Sequence, residues 1–192
     1  MNVNRKDEDG RTALHYAKGD VSQLLQQGAD PNIPDEGGWT PLMCAASSGD
    51  LIKVKHLVSD DRIDVNLKND AGCTALHYAC SKGHIDIVDA LLQKEGIMLN
   101  AQDNGGKATP IIRAMLGNHL RIVRKLIDAR ARLNFKDCEG NTVLHYAIAS
   151  ENVELAVELI NAGSLTDIKN DLGLSSMEIA SQFMKNRLEE EL

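Results

Sequence analysis

An all-α fold is predicted, a solenoid of about six helix-turn-helix repeats with short hairpin tips. Two observations predict it. The tetrapeptide Thr12-Ala13-Leu14-His15 returns as Thr40-Pro41-Leu42-Met43, Thr74-Ala75-Leu76-His77, Thr109-Pro110-Ile111-Ile112 and Thr142-Val143-Leu144-His145, and a worn copy, Ser175-Ser176-Met177-Glu178, closes the series. Successive threonines are 28, 34, 35 and 33 residues apart, and Ser175 follows after another 33. A fixed period of this length means stacked supersecondary units, none of which buries its apolar face alone. Repeats are expected to begin near residues 7, 35, 69, 103, 137 and 170 without a linker, so residues 1–192 read as a single domain.

The third copy carries the logic of one unit. Gly72 supplies a permissive turn, and Thr74 stands where an N-cap offers its side-chain oxygen to the free N–H groups of a first helix. Pro41 and Pro110, which follow Thr in two copies, suit the first helical position. Gly83 is placed to end that helix in a left-handed conformation. Ile85, Val88, Leu91 and Leu92 then give a second helix an apolar stripe at helical spacing. The first copy is five residues short around Gly19, which reads either as two clipped helices or as residues absent from the sequence. Asn118 and Glu151 occupy the slot of Gly49 and Gly83, where Asn is tolerated and Glu is mildly strained. The last copy runs into a polar tail from Gln182, as the cap of a solenoid should.

A period near 33 that carries Thr-Pro-Leu-His resembles the ankyrin repeat. The resemblance implies protein binding, in a concave groove lined by the hairpin tips and the exposed side of the first helices. His15, His77 and His145 are then expected to bond backbone groups of neighbouring turns rather than to catalyse or bind metal. The slot after the histidine holds Tyr16, Cys44, Tyr78, Arg113, Tyr146 and Ile179. Amphipathic rings beside charged tips suit a contact surface; the alternative is that each ring packs on its neighbour with only the hydroxyl in water. Trp39, the one tryptophan, sits in a turn and is expected to be a partly exposed contact. Asp7, Glu8, Asp9, Asp35, Glu36 and Asp70 make an acidic first half of the groove, with Arg113 and Lys136 marking a basic second half.

The formal charge of −7 argues against general nucleic-acid binding. Residues 107–136 alone carry +7, which leaves −14 elsewhere. That window reads either as a solvated helix face or as one pole of a bipolar binding surface. Cys44, Cys73, Cys80 and Cys138 form no C-x-x-C pair and read as free buried thiols in a reducing compartment. No long apolar run reads as a membrane span, and no leader is apparent at Met1. The sequence has no phosphate-cradling Gly loop, G-x-S-x-G or H-E-x-x-H. Gly105-Gly106 reads as a one-residue insertion in a turn. No enzyme activity and no cofactor are expected. A soluble monomer in cytoplasm, and in nucleus, is the expectation.

A narrower resemblance rests on residues outside the repeat consensus. These are Asp9-Gly10-Arg11, Gly38-Trp39, Gly72-Cys73 with Ser81-Lys82, Ala108-Thr109 with Arg113-Ala114, Asp137-Cys138-Glu139-Gly140-Asn141, and Val153-Glu154 with Ala156. In this the chain is similar to the gankyrin family of ankyrin chaperones of the 26S proteasome regulatory particle. The resemblance implies a groove that holds the C-terminal domain of one proteasomal ATPase subunit during assembly. Contacts carried over fall on Asp9, Arg11, Glu36, Trp39 and Lys82, and the groove reading adds Asp70, Tyr78 and Arg113. Some members also carry a Leu-x-Cys-x-Glu stretch for retinoblastoma-type pockets. The aligned Tyr146-Ala147-Ile148-Ala149-Ser150 lacks it, so that activity is not carried over. An ankyrin adaptor for a different signalling or transcriptional partner is the alternative.

Overall fold

The computed structural model describes residues 2–191 as six helix pairs. These are α1 (Ala13–Tyr16) with α2 (Ser22–Gln26), α3 (Pro41–Ser48) with α4 (Leu51–Val58), and α5 (Ala75–Lys82) with α6 (Ile85–Leu92). Then come α7 (Pro110–Leu116) with α8 (Leu120–Asp128), α9 (Val143–Ala149) with α10 (Val153–Asn161), and α11 (Ser176–Ile179) with α12 (Gln182–Glu191). Among the described residues the extended backbone forms no strand, only an isolated antiparallel bridge between Lys169 and Ser175. The first helices α1, α3, α5, α7, α9 and α11 stack in one column, and the second helices pack behind them.

The core is thin and continuous. Leu14, Leu42, Leu76, Ile111 and Leu144 stand in one slot of successive first helices, and all are fully buried. Leu57, Leu91, Leu126 and Leu159 repeat the pattern on the second helices. Successive first helices pack on one another, as do α4, α6 and α8, so burial in one repeat depends on its neighbours. In α12, Met184 and Leu188 are buried, which closes the stack with an apolar face inward and charges outward.

Helix starts follow three chemistries. Thr40 caps α3 directly, its Oγ1 accepting from the Met43 amide at 3.3 Å. Where the third helical residue is histidine, the imidazole joins in. Nδ1 of His15, His77 and His145 accepts the N–H of Thr12, Thr74 and Thr142 at 3.0, 3.1 and 3.2 Å. Helix α11 uses a carboxylate instead, Glu178 Oε2 accepting from Ser175 N at 2.7 Å. At the other end of α5, Gly83 takes φ +77°. A Cβ there would lie 2.5 Å from the His119 ring, so glycine serves both the turn and the next layer. Asn118 and Glu151 adopt the same left-handed backbone at φ 56° and 55°. For Glu151 that conformation costs about 1 kcal/mol.

The first repeat is clipped. Helix α1 has four residues and α2 five, and no α2 side chain is fully buried. The second repeat compensates with a residue that the apolar stripe does not anticipate. Lys53 occupies the slot of Ile87, Ile122 and Leu155, is 2 % exposed, and donates from Nζ to the carbonyls of His15 (3.1 Å) and Ala17 (2.8 Å). Those carbonyls are the ones that a short α1 leaves without helical partners. Burial pushes the Lys53 pKa down, because no carboxylate neutralises the ammonium directly. Asp50 adds a second tie, accepting from Lys53 N (3.0 Å) and from Gly19 N (2.8 Å).

Two substitutions test this packing by urea denaturation. Leu91→Ala, in the middle of the stack, should cost about 2–5 kcal/mol. Lys53→Met keeps the length but orphans two buried carbonyls, and should cost about 1–3 kcal/mol for each that stays unpaired. A neutral or stabilising Lys53→Met would show that the ammonium does not hold the first repeat.

Candidate protein-binding groove

Each hairpin tip is built by its first residue. Asp35, Asn69, Asp103 and Asp137 are buried and accept amide hydrogens of their own turns, for instance Trp39 N to Asp35 at 2.8 Å and Gly106 N to Asp103 at 2.8 Å. Burial alone would raise the Asp35 and Asp103 pKa values. The amide donors, with Arg11 on Asp35 and Arg113 on Asp103, instead hold both below the ordinary value. One backbone bond joins each tip to the next. Glu36 N donates to Asp9 O, Asp70 N to Gly37 O, Asn104 N to Ala71 O, Cys138 N to Gly106 O and Asp171 N to Glu139 O, at 2.7–3.2 Å.

The first helices face these tips. Tyr16 donates to Asp7 at 2.7 Å, Asn69 Nδ2 donates to the Tyr78 hydroxyl at 2.7 Å, and Tyr146 donates to Asp137. Arg113 takes the same slot in the fourth repeat and pairs with Asp103 at 2.7 Å. Tip and helix therefore meet at a fixed angle and form the two walls of a groove. The tyrosine rings pack as half-buried walls with their phenols tied, while Tyr16 at the open end is 55 % exposed. Burial and the Asp137 carboxylate push the Tyr146 phenol up to about 12.

The eight residues singled out from sequence fall into three groups. Asp9, Glu36, Asp70 and Lys82 are exposed, and none has a side-chain ion pair among the described residues. Trp39 and Tyr78 are half-buried and stacked, with ring centroids 4.2 Å apart and planes tilted by 31°. Arg11 and Arg113 are both committed to buried tip carboxylates, Arg11 Nε lying 3.1 Å from Asp35. Arg11 also lies over the Tyr16 ring at 5.8 Å.

Arg113 thereby corrects the expected basic half of the groove. Its charge is spent on Asp103, whose side chain is 0 % exposed. Two further cations of the window lie on the second helix α8 and are spent likewise: Arg124 pairs with Glu158 at 2.9 Å and Glu154 at 3.0 Å, and Lys125 with Asp89 at 2.6 Å. Those partners lie one repeat away, and no local charge count sees them. The thiol reading also needs correction. Cys73 and Cys80 are buried, but Cys44 is half-buried and Cys138 is exposed at its tip.

The histidines bond backbone of the next turn, as expected. Nε2 of His15, His77 and His145 reaches the carbonyls of Trp39 (3.0 Å), Ala108 (3.2 Å) and Leu174 (3.3 Å). With Nδ1 accepting and Nε2 donating, each ring is neutral. Met43 and Ile112 cannot make this bridge, and His84 and His119 supply others, to Ser47 O (3.4 Å) and Ser81 O (3.2 Å). An asparagine ladder was missed from the sequence. Asn32, Asn66 and Asn134 each bond backbone of the following loop through both ends of the amide, and Asn100 accepts there from Arg132 N. Their common spacing of 34 residues was the available signal. Among the described residues no three His, Cys, Asp or Glu side chains converge as a metal site, and no helix is long and apolar enough to cross a membrane.

The family model described as ankyrin repeats (3 copies) matches residues 18–103 and 99–171, most of the chain. The chain belongs to the ankyrin-repeat family. It is similar to the neurogenic locus notch homolog protein 1 of Xenopus tropicalis (29 % identical) and of Homo sapiens (31 %), over 173 residues and 88 % of its own length. It spans only about 6 % of the length of the first of these relatives and 5 % of the second. A shorter stretch of 59 residues, 28 % of the chain and 25 % of the relative, is 49 % identical to the 26S proteasome non-ATPase regulatory subunit 10 of Dictyostelium discoideum. In structure, the ankyrin repeat domain of Bcl-3 superposes with a TM-score of 0.87 at 24 % identity, covering 98 % of this chain and 86 % of that one. That likeness establishes the fold. Ankyrin repeats are generally non-catalytic modules for protein interaction.

The histidine bridges predict a pH dependence. Burial lowers all three imidazoles, His77 to about 4. The unfolded chain takes up these protons first, so stability is full above about pH 6.5 and falls as pH drops toward 4. His77 alone should contribute about 3 kcal/mol of that loss. Urea midpoints across this window should fall steadily, and less steeply in His77→Gln. A flat profile would contradict the neutral bridges.

Proposed function

We propose that this ankyrin-repeat protein acts as an assembly chaperone of the 26S proteasome regulatory particle, holding the C-terminal domain of an ATPase subunit in its groove. The observation that carries this is a set of exposed side chains with no ion pair among the described residues, Asp9, Glu36, Asp70 and Lys82, beside the stacked Trp39 and Tyr78. A flat aromatic anchor flanked by uncommitted charges is what a protein partner uses for affinity and register. The 49 % identity with the Dictyostelium discoideum proteasome subunit supports this choice of partner over one segment. Arg11 and Arg113 would contribute mainly by holding the tips in shape. Such a protein would work in cytoplasm and nucleus, as a monomer when free.

A second reading is an adaptor for a different signalling or transcriptional partner. The notch likeness over 88 % of the chain favours it. Calorimetry against the C-terminal domains of the proteasomal ATPase subunits separates the two: one subunit should bind and the others should not. Glu36→Lys should then weaken binding by about 2–5 kcal/mol. It should move stability by no more than about 0.5 kcal/mol. Asp86→Lys, on the exposed side of α6, is the control and should bind like the parent. No binding to any subunit would remove the proteasome reading, whereas equal effects of the two reversals would remove the groove.

A further inference from the structure

The fourth hairpin tip holds a chemical feature that the binding reading does not use. Asn104 is the only asparagine of the chain followed by glycine, and Gly105 is followed by a second glycine, Gly106. Both Asn104 and Gly105 are exposed. The Gly106 amide is tied to Asp103 Oδ1 at 2.8 Å, but the Gly105 amide donates to no acceptor among the described residues. Around the Gly105 Cα there is open space, since a Cβ there would meet only Asp103 Oδ1, at 4.0 Å. The other asparagines precede residues with a Cβ, and several are held by the ladder or by caps.

We propose that Asn104 is a site of spontaneous deamidation, a modification that changes the charge and the backbone of the groove wall with time. The Gly105 nitrogen, once it has lost its proton to solvent base, attacks Cγ of Asn104. The Cγ–Nδ2 bond breaks, ammonia leaves, and a five-membered succinimide links the two residues. Water then opens the ring at either carbonyl and returns an aspartate or an isoaspartate. Glycine favours the first step because no Cβ shields its nitrogen or restricts the turn that closes the ring.

The product would act on the contact between the third and fourth tips. Asn104 Nδ2 donates to Asp70 O at 3.0 Å, and the side chain lies against Gly72, within 2.6 Å of where a Cβ would be. A carboxylate oxygen in place of Nδ2 sets acceptor against acceptor there and adds a negative charge beside Asp70. The isoaspartate also lengthens the main chain by one methylene, which shifts the Asn104 N to Ala71 O bond that joins the tips.

Incubation of the intact protein at neutral and at mildly alkaline pH, followed by peptide mass spectrometry with isoaspartate detection, tests this. Conversion at Asn104 should run at least about tenfold faster than at Asn141 in the next tip, a barrier difference of about 1.4 kcal/mol. The rate should rise with pH. Gly105→Ala should slow it by a similar factor and leave the fold intact, because the site has room for a methyl group. Conversion at Asn104 no faster than at Asn141, or unchanged in Gly105→Ala, would overturn the proposal. Neither result depends on which partner occupies the groove.

Discussion

A helix pair of seven to nine residues per helix, as in the four central repeats, cannot bury its own apolar face, and this constraint governs the rest of the molecule. The buried core runs unbroken from layer to layer, so each repeat is folded only to the extent that its neighbours are. Polar groups obey the same rule. The histidines cap their own helices with one nitrogen and hold the next turn with the other. The asparagines bond forward from loop to loop. The ion pairs of Arg124 and Lys125 also join successive repeats. Stability is passed along the stack by contacts between adjacent repeats, and the groove walls inherit their rigidity from it.

The ends show how the constraint is relaxed. In the last repeat the capping residue is Glu178, whose carboxylate closes the helix start but offers no donor to a following turn. In the first repeat, shortened helices leave carbonyls that only a cation from the second repeat reaches. Lys53 is an expensive solution, since a buried ammonium is destabilised relative to water unless hydrogen bonds replace its hydration. Its two carbonyl acceptors do so in part. The first repeat, with Arg11 and the Tyr16 ring at one end of the groove, is therefore the least secured layer.

Most of the fold was legible because the period, the Thr slot and the glycine stops are local signals with local causes. The histidine bridges were legible for the same reason. What escaped was the role of residues whose partners lie a repeat away. Lys53 breaks an apolar stripe that Ile87 and Ile122 keep, and only the shortened α1 above it explains the break. The charge window of residues 107–136 suggested a bipolar groove because a running sum counts Arg113, Arg124 and Lys125 but not Asp103 buried beneath, nor Glu158 and Asp89 across the layers. The site was legible in part. Asp9, Glu36, Asp70 and Lys82 are exposed and make no ion pair among the described residues, whereas Arg11 and Arg113 hold tip carboxylates.

Native-state amide hydrogen exchange under increasing denaturant tests the central claim, that stability is handed from layer to layer and is weakest in the first. Residues of α1 and α2 should exchange through a local opening well below the global unfolding free energy, while α5, α6 and α9 should exchange only with the whole stack. Uniform protection from the first repeat to the fifth would contradict it.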